Sequence, residues 1–333
     1  MESKSFRAMV VEETQEKNYV RRIAERTLGS LPPGEIVVRV SYSSLNFKDA
    51  LSATGNKGVT RSFPHTPGID AAGTVTESTA GEAAPGQQVI VTSYDLGMNT
   101  SGGFGQYIRV PAAWVVPLPE TLTLAESMAY GTAGFTAGMS IQRLLDQEVT
   151  PEKGEVLVTG ATGGVGSLAV AILAKIGYEV IGVTGKPEGK AFLEGLGAKG
   201  ALTREEAVDT TGRPLLRGRW AGVVDTVGGE MLATALKTTR DWGAVTCCGL
   251  VGSPNLPTTV FPFILRGVSL HGIDSQNCPM PLRKTIWQKL AREWKPAMLG
   301  DMVRDVSLEE LDPEIDKILQ GRQTGRVRVD LNR

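Results

Sequence analysis

The stretch EVLVTGATGGVGSLAVAILAKIG, residues 155–177, decides the fold of this chain. Its short apolar start has the length of a buried strand, a glycine cluster follows, and the remainder has the apolar spacing of a helix. A glycine turn between a strand and a helix is the setting of a dinucleotide-binding fingerprint. Gly163 would let the backbone approach a pyrophosphate, and Gly166 would let the helix pack closely on the sheet. With Gly164 and Val165 they form a helix N-terminus whose backbone N–H groups attract phosphate.

Two alternatives arise from the same residues. Ala161 stands where the pattern G-x-G-x-x-G has its first glycine, so a glycine-rich turn without a ligand stays open. The run from Thr159 to Gly166 also fits T-G-x-x-x-G-x-G, which resembles the short-chain dehydrogenases. Those enzymes need a Tyr-x-x-x-Lys pair, and none of the six tyrosines here has a lysine four residues later. The short-chain interpretation therefore fails.

The next strand, within VIGVTGK at residues 180–186, bears on the choice of cofactor. In NAD-binding units an acidic residue about 20 positions after the glycine turn holds the ribose 2′-hydroxyl. Here Thr184, Gly185 and Lys186 take that place, and Arg204 after the following strand could add a second cation. A hydroxyl and cations suit a 2′-phosphate, so the sequence predicts NADPH rather than NADH. The alternative is that Lys186 lies on a solvated surface turn.

Outward from this unit, the pattern divides the chain into regions. Residues 126–275 alternate apolar strands with helices, which indicates a parallel, doubly wound sheet of six strands. Residues 1–125 contain short strands separated by turns such as PPG and APG, which predicts a mostly β domain. Residues 276–333 contain two helical patterns and a terminal strand, RVRVDL, without a nucleotide signature. This last segment is expected to pack back on the first domain.

Composition excludes several classes of function. The 333 residues are 41% hydrophobic and 21% charged, with a net charge of -1, so no global field attracts nucleic acid or a membrane surface. Charges interrupt the apolar run near the N-terminus, and no apolar run approaches the roughly 20 residues that span a bilayer. The three cysteines form neither an even disulfide framework nor a C-x-x-C pair. A cytoplasmic small-molecule enzyme is the expectation.

Ordered blocks along nearly the full chain resemble the medium-chain dehydrogenase/reductase superfamily. They are SSLNFKDALSATG (43–55), FPHTPGIDAAGTV (63–75), GTAGFTA (131–137), VTGATGGVGS (158–167), VDTVGG (224–229) and LPTTVFPFILRGVSLHGIDS (256–275). Within the superfamily, the chain is most similar to the zinc-free quinone oxidoreductase branch and its NADPH-dependent acryloyl-CoA reductases.

The resemblance implies an α/β architecture of two domains and a set of cofactor contacts. Residues 1–125 and 276–333 would form a GroES-like, mostly β catalytic domain, and residues 126–275 a Rossmann NADPH-binding domain. Members of the branch usually assemble as homodimers. By alignment of the blocks, the cofactor would also contact Phe47, Thr132, Leu250, Ile264 and Ser275.

The ligands of a zinc site are missing from the blocks where zinc alcohol dehydrogenases carry them. Asn46 stands in the block that has a cysteine ligand in those enzymes, and Ile69 stands in place of the histidine of G-H-E. The chain has only two histidines, His65 and His271, and we expect a loop residue and a sheet residue, respectively. The expected metal is none, because tetrahedral zinc needs ligands of the right type and spacing.

Without a metal, an activated alkene is a more suitable substrate than an alcohol, whose oxidation requires stabilisation of an alkoxide. Hydride from NADPH would add to the β-carbon of an α,β-unsaturated carbonyl, and hydrogen-bond donors would stabilise the resulting enolate. The candidate donors are Asn46 and Tyr42, with a turn-forming amide as the alternative for Asn46. For a coenzyme A thioester, Lys57 and Arg61 are candidate phosphate contacts.

The sequence analysis gives one primary function and two alternatives. The first is the reduction of a small conjugated acyl thioester such as acryloyl-CoA. The second is a quinone or alkenal reductase that uses the same cofactor. The third belongs to another class, a non-catalytic NADPH-binding protein that acts as a sensor or structural component.

Overall fold

The structure is a computed structural model that describes residues 3–81 and 83–333. The chain divides into two compact units, the first comprising Met1–Thr132, Gln276–Ala291 and Leu299–Arg333, and the second Ala133–Ser275 and Arg292–Met298. The sequence predicted that the first domain ends at residue 125. In the structure, the first segment of this unit ends at Thr132. The reason is that residues after 125 bond within the first unit: the Tyr130 hydroxyl donates to the Leu290 carbonyl at 3.0 Å, and the Thr132 N–H donates to Asp70 at 2.9 Å.

In chain order, the strands are β1 (Ser5–Glu13), β2 (Tyr19–Thr27), β3 (Ile36–Ser44), β4 (Asp70–Ser78), β5 (Gln88–Thr92), β6 (Tyr107–Val110), β7 (Val115–Pro117), β8 (Val156–Val158), β9 (Val180–Val183), β10 (Gly200–Leu202), β11 (Trp220–Asp225), β12 (Thr239–Cys247), β13 (Ser269–Gly272), β14 (Val303–Val306) and β15 (Arg326–Asp330). The helices are α1 (Phe47–Ala53), α2 (Leu124–Asp146), α3 (Gly164–Lys175), α4 (Gly189–Gly195), α5 (Gly229–Thr238), α6 (Phe261–Arg266), α7 (Met280–Ala291) and α8 (Leu311–Leu319).

A mostly antiparallel sheet forms the centre of the first unit. Its strand order is β14-β15-β3-β4-β5-β7, with β6 also paired to β3, and β1 and β2 form a separate hairpin. Along β3, Ile36, Val38 and Val40 enter the main core of the unit, whereas Val37 packs with a smaller cluster on the other face. This alternation is what a strand with two different faces requires. Strand β15 pairs antiparallel with β3, so the C-terminal segment packs on the first unit as the sequence predicts.

A parallel sheet forms the centre of the second unit, with the strand order β10-β9-β8-β11-β12-β13 among the described residues. This is the doubly wound, six-stranded sheet that the sequence predicts. The chain runs outward from β8 to β10 and then crosses back to β11, so the direction of winding changes between β8 and β11. Nucleotides bind at the carboxyl ends of strands at such a switch point. Helix α3 starts there, and its residues 168–173 are buried.

Among residues 3–81 and 83–333, no helix combines the length and apolar character needed to cross a bilayer.

Candidate functional site

The glycine turn of the second unit has the geometry that the fingerprint demands. Gly160 has a φ of +57°, a conformation that favours glycine, and Gly163 is the N-cap of α3, which begins at Gly164. A Cβ on Gly166 would lie 2.3 Å from the Gly160 carbonyl oxygen. Only glycine therefore allows the helix to start this close to the turn. The first backbone N–H groups of α3, from Gly164 and Val165 onward, have no partner within the helix and suit an anion.

Asp225, which the sequence reading did not assign to the site, braces this turn from β11. Its Oδ1 accepts a hydrogen bond from the Thr159 hydroxyl at 2.7 Å, and its Oδ2 accepts the Gly228 N–H at 2.8 Å. Thr226 completes the link, because its N–H donates to the Thr159 hydroxyl at 3.0 Å and its hydroxyl donates to the Thr159 carbonyl at 2.9 Å. Burial raises the pKa of Asp225. The VDTVGG block was the available signal for this residue.

The structure brings Thr184, Gly185, Lys186 and Arg204 together after β9. A Cβ on Gly185 would lie 2.6 Å from Nε of Arg204, so the arginine side chain crosses the glycine. The Thr184 hydroxyl accepts the Lys186 N–H at 3.1 Å and lies 3.4 Å from the Thr162 hydroxyl. Burial lowers the pKa of Lys186, and the positive charge of Arg204 acts in the same direction. Two cations and a hydroxyl at one strand end can bind a phosphate dianion.

Three predicted cofactor contacts lie elsewhere in the second unit. Leu250 follows β12, and Ile264 lies on α6; both side chains are largely exposed. Ser275 is the last residue of the second unit before the chain returns to the first. Their contacts with a cofactor stay predictions.

In the first unit, Asp70 is the centre of a buried hydrogen-bond network. Its Oδ2 accepts from the Ser44 hydroxyl at 2.6 Å, the Asn46 amide at 2.8 Å and the Thr132 N–H at 2.9 Å. Its Oδ1 accepts from the Thr132 hydroxyl at 2.6 Å. The guanidinium of Arg326, itself buried, reaches the same group through Ser44, to whose hydroxyl it donates at 2.8 Å. The network joins β3, β4, α2 and β15, and it fixes Thr132.

The backbone conformation of Gly131 makes the bond between Thr132 and Asp70 possible. Its φ of +53° and ψ of −156° interrupt α2, so Thr132 begins a new helical segment and its N–H donates to Asp70. A Cβ at residue 131 would lie 2.3 Å from the Ser44 hydroxyl and 2.4 Å from Oδ2 of Asp70. Both the backbone conformation and the available space therefore require glycine at this position.

Asn46 is the N-cap residue of α1 and bonds to the Asp70 network. Its side chain caps α1, and its amide nitrogen donates to Asp70 and, at 3.2 Å, to the Ser44 carbonyl. Tyr42 lies on β3 with the guanidinium carbon of Arg328 5.4 Å from its ring centre. The donor roles of Asn46 and Tyr42 stay predictions. Phe47, the first residue of α1, is 39% exposed, so its ring is accessible as the predicted nicotinamide contact requires.

Asp49 is the second buried carboxyl group of the network. Its Oδ1 accepts the Ile69 N–H at 2.7 Å, and its Oδ2 accepts the Asn46 N–H at 2.7 Å. Burial, with a smaller contribution from the negative charge of Asp70, raises the pKa of Asp49 to about 7. The sequence shows Asp49 and Asp70 far apart, and the bond from the Ile69 N–H to Asp49 brings α1 close to the start of β4.

A strained elbow follows β5 and contacts the same network. Ser93 and Tyr94 have φ angles of +65° and +50°, which are costly for residues other than glycine. The Ser93 N–H donates to the Ile69 carbonyl at 2.7 Å, and its hydroxyl lies 2.9 Å from the Thr132 hydroxyl. The Arg283 guanidinium lies 4.3 Å from the centre of the Tyr94 ring, and it donates to the Thr92 carbonyl at 3.0 Å. Surrounding contacts thus hold the elbow beside Thr132.

The positions of the zinc ligands are occupied by residues with other roles. Ile69 is buried and donates its N–H to Asp49. His65 is a buried loop residue, and His271 lies on β13, as the sequence predicts. Within residues 3–81 and 83–333, no group of three or more His, Cys, Asp or Glu side chains is placed to hold a metal ion.

Comparison with known protein families finds a different family match in each of two parts of the chain. Residues 32–120 match the family described as alcohol dehydrogenase GroES-like domain, and residues 164–292 match the family described as zinc-binding dehydrogenase. Acrylyl-CoA reductase AcuI from Ruegeria pomeroyi is 45% identical over 98% of this chain and 99% of its own length. "Putative quinone oxidoreductase YhfP" from Bacillus subtilis is 47% identical over 90% of this chain and 92% of its own length.

Solved structures agree over almost the whole chain. The crystal structure of the Salmonella enterica yhdH oxidoreductase in complex with NADP has a TM-score of 0.94 at 40% identity, and it covers 97% of this chain and 99% of that one. The structure of Bacillus subtilis yhfP with NAD bound has a TM-score of 0.96 at 44% identity, and it covers 98% of this chain and 100% of that one.

A GroES-like unit and a doubly wound nucleotide-binding unit in one chain define a class of oxidoreductases. The chain belongs to that class, the medium-chain dehydrogenase/reductase superfamily, and its relatives include both an acrylyl-CoA reductase and a quinone oxidoreductase. The predicted family and fold class are therefore confirmed.

Proposed function

We propose that this protein reduces the C=C bond of a small α,β-unsaturated acyl thioester, of the acryloyl-CoA type, with NADPH as the hydride donor. The observation that carries the proposal is the similarity to the Ruegeria pomeroyi acrylyl-CoA reductase, which extends over 98% of this chain. Identity at this level across both units is more specific than a glycine turn alone, which many nucleotide-binding proteins share.

The residues of the second unit fit NADPH. The glycine turn leaves space where side chains would lie, because a Cβ on Gly166 would lie 2.3 Å from the Gly160 carbonyl oxygen. The N-terminus of α3 would hold the pyrophosphate, and Lys186 and Arg204 would bind the 2′-phosphate. When bound, the cofactor supplies a hydride. In the first unit, the Asp70 network would hold Thr132 and the Asn46 loop in fixed positions, and Phe47 would offer an exposed aromatic surface.

The cofactor preference has a direct test in Lys186. In Lys186→Asp the carboxylate would repel a 2′-phosphate and accept hydrogen bonds from a ribose hydroxyl, so KM for NADPH should rise at least about tenfold while KM for NADH stays level or falls. Lys190→Asp, on the exposed surface of α4, is the matched control. An unchanged NADPH to NADH ratio in Lys186→Asp would refute the assignment.

Of the two candidate phosphate contacts for coenzyme A, Lys57 is less suitable than the sequence predicts. Lys57 forms an ion pair with Glu13 at 2.7 Å and lies 4.7 Å from the Phe63 ring centre. Its charge is therefore already paired within the first unit. Arg61 is exposed, and its backbone N–H is bonded to Asn99 at 3.2 Å. Arg61 is the better candidate of the two.

A quinone or alkenal reductase is the second candidate, and the 47% identity to the Bacillus subtilis relative favours it. Steady-state kcat/KM with acryloyl-CoA, a simple benzoquinone and an alkenal separates the two. Acryloyl-CoA should give the highest value, and a clear preference for the quinone would overturn the proposal. Tight NADPH binding without oxidation by any of the three would support the non-catalytic alternative.

We further propose that the protein is a cytoplasmic homodimer. Residues 242–265 of the second unit expose several large apolar side chains, among them Trp242 at 78% and Ile264 at 68%. Exposed apolar surface of this kind is typical of a protein interface. Light scattering after size exclusion should give a dimer that Leu265→Asp weakens, and a wild-type monomer would refute the dimer. Reporter fusions and cell fractionation test the location.

A further inference from the structure

A long connection without a helix crosses one face of the second unit. Residues 203–219 join β10 to β11, and they contain neither helix nor strand. A crossover between parallel strands usually contains a helix that covers the sheet, and irregular connections longer than about 12–15 residues are uncommon unless functional. This connection therefore leaves part of the sheet without the cover that a helix would provide.

The connection is held in place at several points by α5 and its end. The Asp209 N–H donates to the Thr234 hydroxyl at 2.9 Å, and the Lys237 ammonium lies 3.2 Å from the Asp209 carboxylate. Further along, the Leu216 N–H donates to the Lys237 carbonyl at 3.1 Å, and the Arg219 N–H donates to the Thr238 carbonyl at 2.7 Å. The connection is thus bonded to α5 at its middle, through Asp209, and along its last residues, through Leu216 and Arg219.

A cavity of about 340 Å³ lies beneath this connection, a volume at the lower end of small-molecule sites. Its apolar lining comes from Leu157, Leu202, Ala207, Trp220 and Ala235. Three arginines, Arg217, Arg219 and Arg240, and one acid, Glu206, line it as well. The lining thus combines an apolar floor with an excess of positive charge.

The arginines differ in how far they are already occupied. The Arg219 guanidinium stacks 4.0 Å from the Trp220 ring centre, and its Nε lies 3.3 Å from the Glu155 carboxylate. Arg240 donates to the Lys153 carbonyl at 2.7 Å. In the part of the chain that the structure describes, Arg217 forms no ion pair or side-chain hydrogen bond. Its guanidinium is available to a ligand, and the other two hold their positions beside it.

The lining of the cavity contains no residue of the glycine turn, although Leu202, at the carboxyl end of β10, extends it toward Thr184, whose N–H donates to the Leu202 carbonyl at 3.0 Å. Trp220 and Arg240 lie at the amino ends of β11 and β12, whereas the glycine turn follows the carboxyl end of β8. In a parallel sheet these ends lie at opposite edges.

We propose that this cavity binds a small organic anion with a short apolar body, of the alkyl or aryl carboxylate class. The carboxylate would accept hydrogen bonds from Arg217 at the mouth, and the apolar body would lie on Leu202, Ala235 and Trp220. Arginine suits a carboxylate because its planar group can donate two parallel hydrogen bonds.

Hexanoate titrated into the full-length protein, followed by calorimetry, tests the proposal. We expect one molecule bound per chain, a loss of at least tenfold in affinity in Arg217→Ala, and no measurable binding in Leu202→Trp, which fills the cavity. Arg213→Ala, an exposed arginine on the same connection outside the cavity lining, is the control and should bind as wild type. Thermal unfolding of each variant checks that it is folded.

Two further probes distinguish the parts of the claim. Hexan-1-ol binding as tightly as hexanoate would overturn the role of the charge, and inorganic phosphate binding as tightly would overturn the role of the apolar floor. The proposal also fails if hexanoate does not bind at millimolar concentration, or if Arg217→Ala binds it as well as wild type. None of these outcomes depends on turnover, so they are independent of the proposed reductase activity.

Discussion

Replacement of Gly166 by alanine should damage both the stability of the nucleotide unit and its affinity for NADPH. The added Cβ would lie 2.3 Å from the Gly160 carbonyl oxygen and 2.7 Å from the Ala161 Cα, whereas ordinary contacts begin at 3.4 Å. Both neighbours are backbone atoms, so no side chain can rotate away and the helix or the turn must move. Overpacking of this kind costs about 1–3 kcal/mol. Alanine regains up to about 1 kcal/mol of helix propensity.

With the full gain in helix propensity, the free energy of unfolding of Gly166→Ala should still fall by up to about 2 kcal/mol, with weaker NADPH binding because the turn is displaced. Urea unfolding and a fluorescence titration with NADPH measure the two effects. Gly195→Ala is the matched control, since a Cβ at the end of α4 would have no heavy atom within 4 Å. It should be neutral or slightly stabilising and should bind NADPH normally.

An intermediate case makes the test quantitative. A Cβ on Gly163 would lie 3.3 Å from the same Gly160 carbonyl oxygen, so Gly163→Ala should cost less than Gly166→Ala. If Gly166→Ala unfolds at the wild-type urea midpoint and keeps wild-type NADPH affinity, the close approach of α3 to the turn does not determine the site, and the reasoning is refuted.

Three other predictions concern the buried groups of the first unit. Asp70→Asn removes the carboxylate that faces buried Arg326, so urea unfolding should show a free energy of unfolding lower by about 3–5 kcal/mol. A decrease under about 1 kcal/mol would contradict a stabilising role for the Asp70 network. Because Asp49 has a pKa raised from 3.8 to about 7, the folded state binds its proton more tightly. The resulting stabilisation is present at low pH and is lost as pH rises from about 4 to 7. Over this range the free energy of unfolding should fall by about 4 kcal/mol relative to that of Asp49→Asn. A difference between the two proteins that does not change with pH would contradict this prediction. Burial lowers the pKa of His65, so stability should fall as pH drops below about 6.5, and His65→Phe should remove that part of the fall.

The predictions from local pattern were the most accurate. The glycine turn and the strand before Thr184 could be read from sequence because their geometry depends on residues within one βαβ unit. Arg204 lies across Gly185, and its contact with a 2′-phosphate stays a prediction. The sequence does not predict the hairpin β1–β2 or helix α1, because their polar and apolar residues do not form a strong period.

The first-unit site was only partly predictable. The sequence predicts Asn46 as a hydrogen-bond donor but does not indicate that its amide donates to Asp70, and its role toward a substrate stays a prediction. Nothing in the sequence indicated that Arg326, near the C-terminus, would approach Ser44, since 282 positions separate them. A buried carboxylate network depends on partners from distant strands, and a single sequence carries no record of such contacts.

The sequence by itself determined the class of this protein, because spacing, glycines and the absence of an acid after β9 are local properties that the backbone translates directly into a nucleotide-binding turn. The tertiary structure alone decided which polar side chains lie together in the first unit and which cavity lies under the crossover in the second. Those arrangements arise when strand pairing brings remote residues within hydrogen-bond distance, and burial then sets the protonation of groups such as Asp49.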